Sequence, residues 1–145
     1  MDVKFRKLAD TAVTPQYAKP GDAGMDLVAI AQTVNDQYNY IEYYTGISVE
    51  IPEGYVGLIF QRSSISNKDI SLTNAVGVID SGYRGEIRFR YRYPKDKIWL
   101  NVNRYVIGDK VGQLVIMPCP QVNMVQVDKL SDSDRGDGGF GSTGN

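Results

Sequence analysis

The chain holds no histidine and one cysteine, Cys119, so the side chains that most often perform nucleophilic and metal chemistry are missing. Ser-His-Asp and Cys-His machinery is excluded, as are the usual zinc, copper and haem ligand sets. Any metal must be held by oxygen, and proton transfer must fall to a carboxylate, a lysine, a tyrosine or a metal-bound water. Two aspartates stand out. Asp80, in Val78-Ile79-Asp80-Ser81-Gly82-Tyr83-Arg84-Gly85, either shapes a turn or serves as a general base at its mouth. Asp26, inside the apolar run Met25 to Ile30, is either an edge-strand charge or a metal or water contact. Arg62-Ser63-Ser64 follows an apolar run and precedes a short helical stretch, a junction that suits either helix capping or anion binding. Gln113 interrupts Val111 to Met117, where a half-exposed strand would also place a polar residue. The terminal stretch Arg135 to Gly144 combines a guanidinium, hydroxyls at Ser142 and Thr143, and many glycines. It reads as a disordered tail or as an arm that wraps an anion, with Phe140 free to stack on a flat ligand. Its GxGxxG, Gly136 to Gly141, has no strand before it and no room for a helix after it, so the dinucleotide reading fails. Cys119 is expected to be a packed or half-exposed side chain without chemistry.

The elements that must position these groups are short and β-rich. The 145 residues, 42% of them hydrophobic and 23% charged, suffice for one core without disulfides or a structural metal. Ile87, Phe89 and Tyr91 alternate with Arg88, Arg90 and Arg92, a period of two that separates an apolar face from a guanidinium face. Other strands are expected over 3–7, 25–30, 41–51, 55–61, 98–102, 111–117 and 121–127, with a hairpin joining Ala75–Ile79 to Glu86–Tyr93. One short helix is expected near Ser64 to Ile70. The fold class is therefore all-β, a sandwich, jelly roll or barrel over residues 1–130, followed by an arm over 131–145. A net charge of −1 disfavours bulk nucleic-acid binding. The N-terminus lacks a signal-like apolar run and no segment is long enough for a membrane helix, so a soluble, cytoplasmic protein is expected.

Read together, Ala23-Gly-Met-Asp-Leu-Val-Ala29, Arg62-Ser-Ser64, Gly77-Val-Ile-Asp-Ser-Gly-Tyr-Arg-Gly85, Gly108-Asp-Lys-Val-Gly-Gln-Leu114 and Arg135 to Gly144 resemble, in order, the motifs of the trimeric dUTPase family. Thr45-Gly-Ile47 and Ile51-Pro-Glu-Gly-Tyr55 resemble its framework segments. The resemblance implies a jelly-roll or distorted-barrel subunit, a homotrimer with shared sites, and an arm that closes a neighbour's site. It implies hydrolysis of dUTP to dUMP and pyrophosphate with Mg²⁺, which suits an oxygen-only ligand set. By that resemblance Asp26 holds the metal through water and Asp80 deprotonates the attacking water. Ser63, Ser64 and Gln113 bind the α and β phosphates with support from Arg62. Arg135, Ser142 and Thr143 grip the γ-phosphate, while Phe140 covers the uracil and Gly141 lies with it among the arm's substrate-binding residues. The backbone of Gly77, Val78 and Ile79 reads the uracil edge, Asn74 assists, and Tyr83 lies under the deoxyribose and excludes a 2′-hydroxyl.

Gln61 stands where the family usually has proline and Lys110 where arginine is common, and 31–44 and 93–100 match poorly. A dCTP deaminase of the same fold is the nearest alternative, but it needs a glutamate where this chain has Arg90, and it lacks such an arm. A dUTP-binding regulatory protein and a purely structural trimer are the others.

Overall fold

The structure, a computed structural model, describes residues 1–139. Ten strands follow in order: β1 (Lys4–Lys7), β2 (Met25–Val28), β3 (Ala31–Asn35), β4 (Tyr40–Tyr44), β5 (Ile47–Glu50), β6 (Tyr55–Phe60), β7 (Ser71–Leu72), β8 (Gly77–Ile79), β9 (Arg88–Arg92) and β10 (Lys110–Pro118). All pairings are antiparallel. One sheet runs β2-β10-β6-β8, a second β3-β4-β9-β7, and β1 pairs with β5 alone.

The two four-stranded sheets meet face to face, and the period-two pattern of β9 shows why. Phe89 and Tyr91 are fully buried while Arg88, Arg90 and Arg92 face outward. Phe89 packs over Gly112 of the opposite sheet, where any side chain would collide with its ring. Tyr91 donates from its hydroxyl to the Val111 carbonyl at 2.6 Å, and Tyr43 donates to the Tyr105 carbonyl at 2.9 Å. The rings of Tyr43, Tyr91 and Tyr105 meet edge to face, with centroids 5.5–6.2 Å apart. These phenols fill the core and satisfy their own polar tips across it.

Several expected elements take another form. The stretch 41–51 is two strands in different sheets, because the chain turns at Thr45-Gly46, where Gly46 has φ +65° and Thr45 Oγ1 bonds the Ile87 carbonyl at 2.7 Å. That corner also accepts the Ile87 amide through the Ile47 carbonyl at 2.8 Å. The Ile87 backbone is thereby committed, so β9 pairs with β4 and β7 while β8 pairs with β6. The expected hairpin is instead a crossover between sheets. Residues 98–102 hold a 3₁₀ turn, Trp99–Asn101, in which Leu100 is exposed, as is Ile98 before it. The expected helix is another, Ser63–Asn67. Residues 121–127 form no strand: nothing among the described residues pairs with them, and Val122, Met124, Val125 and Val127 are exposed. The strand pairings leave open sheets and close no barrel among the described residues. Strands β3 and β7 were not expected.

Burial raises the pKa of Tyr43 and Tyr91, and burial with a hydrogen bond to Asp36 pushes Tyr93 up to about 12. An unfolded tyrosine ionises near pH 10. The stability these groups contribute is therefore complete below about pH 10 and is lost as pH rises through their higher folded values. Tyr91→Phe should lower unfolding free energy by about 1 kcal/mol at neutral pH through loss of the bond to Val111, and should flatten the alkaline decline. Urea denaturation at pH 7 and above pH 10 measures both.

Candidate active site

The first cluster is built around Asp26. Its β2 position pairs with Gln113 of β10, which pairs with Phe60 of β6, so one row crosses three strands. Arg62 leaves β6 two residues beyond that row. Only 7% of Asp26 is exposed. Lys110 Nζ lies 2.7 Å from Oδ2, and Arg62 Nε lies 3.0 Å from Oδ1 as an ion pair without a directed hydrogen bond. Gln113 Nε2 donates to Oδ1 at 3.3 Å. Burial alone would raise the Asp26 pKa, but the Lys110 hydrogen bond and the charges of Arg62 and Lys110 outweigh it and hold the carboxyl below its ordinary value. Two cations face one carboxylate, which leaves positive charge for an anion.

Ser63 and Ser64 lie within the 3₁₀ turn, whose N-cap residue is Arg62, and no side chain caps it. The capping reading of these serines therefore falls, and so short a turn supplies little dipole for the anion reading. Hydroxyls and cations carry it instead. Ser64 Oγ is 3.2 Å from the Tyr105 hydroxyl, and with Arg62, Lys68 and Lys110 it lines a cleft of about 450 Å³. Lys68 was not foreseen from the sequence. Its ammonium sits 5.1 Å from the centroid of the Tyr105 ring and donates to the Arg104 carbonyl.

The second cluster is separate. Asn74, Gly77, Val78, Ile79, Asp80 and Tyr83 line one cleft of about 510 Å³. Its strand, β8, is the edge of its sheet, so one row of its backbone amides and carbonyls has no partner strand. Tyr83 donates from its hydroxyl to the Glu86 carbonyl at 3.0 Å, and its ring lies where a side chain at Gly85 would have to stand. Glu42, Arg88 and Arg90 form another part of the wall. The sequence displayed these arginines as a face, but which cleft the face borders depends on the pairing of β9 with β4.

Ile79 pairs with Gly57 of β6, three residues before Phe60, and Asp80 lies one residue further from it. Asp80 is thus about four strand positions, roughly 13 Å, from the Asp26–Gln113 row, and about 14 Å across the strands from Asp26. Within one chain the two clusters do not face a common atom. Arg135 makes a local bond to the Gly138 carbonyl at 2.9 Å. Phe140, Gly141, Ser142 and Thr143 lie outside the described residues.

The dUTPase family model matches residues 10–144. A deoxyuridine 5′-triphosphate nucleotidohydrolase of Alkaliphilus metalliredigens is 40% identical over 145 residues, covering 99% of this chain and 97% of that protein. The dUTPase of Staphylococcus bacteriophage 80alpha, solved with dUPNHPP, superposes with a TM-score of 0.85 at 30% identity over 99% of both chains. A dUTPase variant from phage phi11 of S. aureus, described with a structural Mg(II) ion, gives a TM-score of 0.73 at 26% identity over 89% of this chain and 98% of that one. With the match running through both clusters and nearly the whole length, this chain belongs to the dUTPase family.

Proposed function

We propose that this protein hydrolyses dUTP to dUMP and pyrophosphate in sites shared between the subunits of a homotrimer. The observation that carries the reading is the edge strand β8, whose free backbone row borders the same cleft as Asp80. A uracil edge can pair with that row as a neighbouring strand would, which places the nucleotide beside the carboxylate. Asn74 adds a side-chain amide, and Tyr83 packs under the sugar where a 2′-hydroxyl would clash.

Asp80 orients a water and takes its proton as the oxygen attacks the α-phosphorus, and pyrophosphate leaves. Ser63, Ser64 and Gln113 bind the α and β phosphates, with Arg62 and Lys110 supplying charge. A triphosphate carries about four negative charges, so it competes with Asp26 for both cations. No group of three His, Cys, Asp or Glu side chains that could cage a metal occurs among the described residues. Asp26 has both oxygens engaged. This donor set fits Mg²⁺ held mainly by substrate phosphates and reached by Asp26 through water. Such an ion would neutralise phosphate oxygens. The arm, residues 131–145, brings Arg135, Ser142 and Thr143 to the γ-phosphate and Phe140 over the base, with Gly141 among its substrate-binding residues, excluding bulk water.

The separation of Asp80 from the Asp26 row supports sharing, since one copy's Asp80 must serve a neighbour's phosphate set. The exposed apolar residues of 122–127 offer contact area for such an assembly. A jelly-roll subunit agrees with the two packed antiparallel sheets. A cytoplasmic location suits an enzyme of nucleotide supply, and no described helix is long and apolar enough to cross a membrane.

Three tests follow from the geometry. Pyrophosphate should appear from dUTP and stop with chelator, and Asp80→Asn should lower kcat by about 10²–10⁴-fold with dUTP binding retained. Ammonia from dCTP would instead indicate the deaminase, and binding without turnover a regulatory protein. Asp26→Asn and Asp80→Asn, each inactive alone, should regain about a quarter of wild-type activity when mixed and reassembled if sites are shared. Sites contained in one chain would regain none. Gly85→Ala should displace the Tyr83 ring and raise kcat/KM for UTP relative to dUTP.

A further inference from the structure

The cleft beside Asp80 has a charged wall that the proposed reaction leaves unused. Strand β9 sets Arg88, Arg90 and Arg92 opposite Tyr44, Glu42 and Tyr40 of β4. Arg90 Nε donates to Glu42 Oε1 at 2.8 Å, and its guanidinium carbon lies 5.1 Å from the centroid of the Tyr40 ring. Glu42 is only 8% exposed, and its other oxygen accepts from the Tyr44 hydroxyl at 3.0 Å. The Arg90 carbonyl accepts from the Thr73 amide at 2.9 Å, which ties its backbone to the segment that leads into Asn74. A carboxylate, an aromatic face and the backbone thus hold one guanidinium at the cleft that Asn74, Gly77 and Asp80 also line. Its side chain is about half exposed, and among the described residues its terminal nitrogens meet no protein acceptor and face the open cleft.

Fixed donors without acceptors favour a ligand that brings one. A ring carbonyl satisfies them, whereas an amino group at the same position presents hydrogens to hydrogens and leaves both sides unpaired. We propose that Arg90, positioned by Glu42 and Tyr40, determines base specificity by donating to the 4-carbonyl of uracil, and so rejects cytosine, which carries an amino group there. This rests on the dUTP reading and adds a side-chain element to recognition by the β8 backbone. Arg90 is the specificity residue, and Glu42 is a positioning residue that acts through it.

The test is steady-state hydrolysis of dUTP by the full chain, with dCTP as competing inhibitor, for wild type, Arg90→Met, Arg90→Lys and Glu42→Gln. Arg90→Met should lower kcat/KM for dUTP by about 10- to 100-fold while the inhibition constant of dCTP holds or falls. Arg90→Lys, which keeps the charge but loses the fork, should recover only part of the discrimination. Glu42→Gln should shift it in the same direction as Arg90→Met with Arg90 intact, at a melting temperature still above the assay temperature. Equal changes for both nucleotides, or no change in either, would overturn the role of Arg90. If wild type does not hydrolyse dUTP, the functional reading itself fails. If it does and only the discrimination is unmoved, this inference alone is wrong.

Discussion

A single buried carboxylate organises the cationic cluster of this molecule. Asp26 draws Lys110 from β10 and Arg62 from the exit of β6 toward β2, and Gln113 closes the cluster from the middle of the same row. Burying these charges is costly, and the pairing repays it without much net gain in stability. Its consequence is positional. Two long cationic side chains that would otherwise sample many rotamers are held at one place, beside the serines of the 3₁₀ turn. The cluster is thereby assembled in advance, with two cations facing one carboxylate.

The sheet register imposes the second constraint. Because β8 pairs with β6 at Gly57 to Ile59, Asp80 emerges at the far end of the sheet from the Asp26 row. The fold therefore sets the Asp80 carboxylate apart from the cationic cluster around Asp26. This division also lets the Asp80 cleft be walled by the other sheet, through Glu42, Arg88 and Arg90. The cleft beside Asp80 thus has walls from two sheets, whereas the Asp26 cluster is built on one strand row.

The core underneath is unusually phenolic. Tyr43, Tyr91 and Tyr105 bury ring area, and Tyr91 bonds the Val111 carbonyl of the opposite sheet while Tyr43 bonds the Tyr105 carbonyl of the loop before β10, so directed contacts add to apolar packing. Tyr91 holds the Val111 carbonyl next to Lys110. The inward face of β9 thus supports the Asp26 cluster while its outward arginines border the other cleft.

The sequence by itself determined the β class, the alternation of β9 and the short segments that carry chemistry, since these depend on residue type, spacing of two and local turn residues. Asn74, Gly77 to Asp80 and Tyr83, close together in the chain, also line one cleft. The sequence misread 41–51 as one strand and 75–93 as a hairpin, because nothing local in Thr45-Gly46 or Asp80 to Glu86 says which sheet the chain enters next. Lys68 and Glu42 were likewise unmarked: an isolated lysine or glutamate in a strand-rich chain acquires meaning only from the neighbour it is folded against. The tertiary structure alone decided that Lys110 and Arg62 converge on Asp26, that Asp80 stands apart from them, and that Arg90 faces the cleft. Those outcomes rest on strand order and register, which are set by long-range pairing and packing rather than by any one segment's own preference.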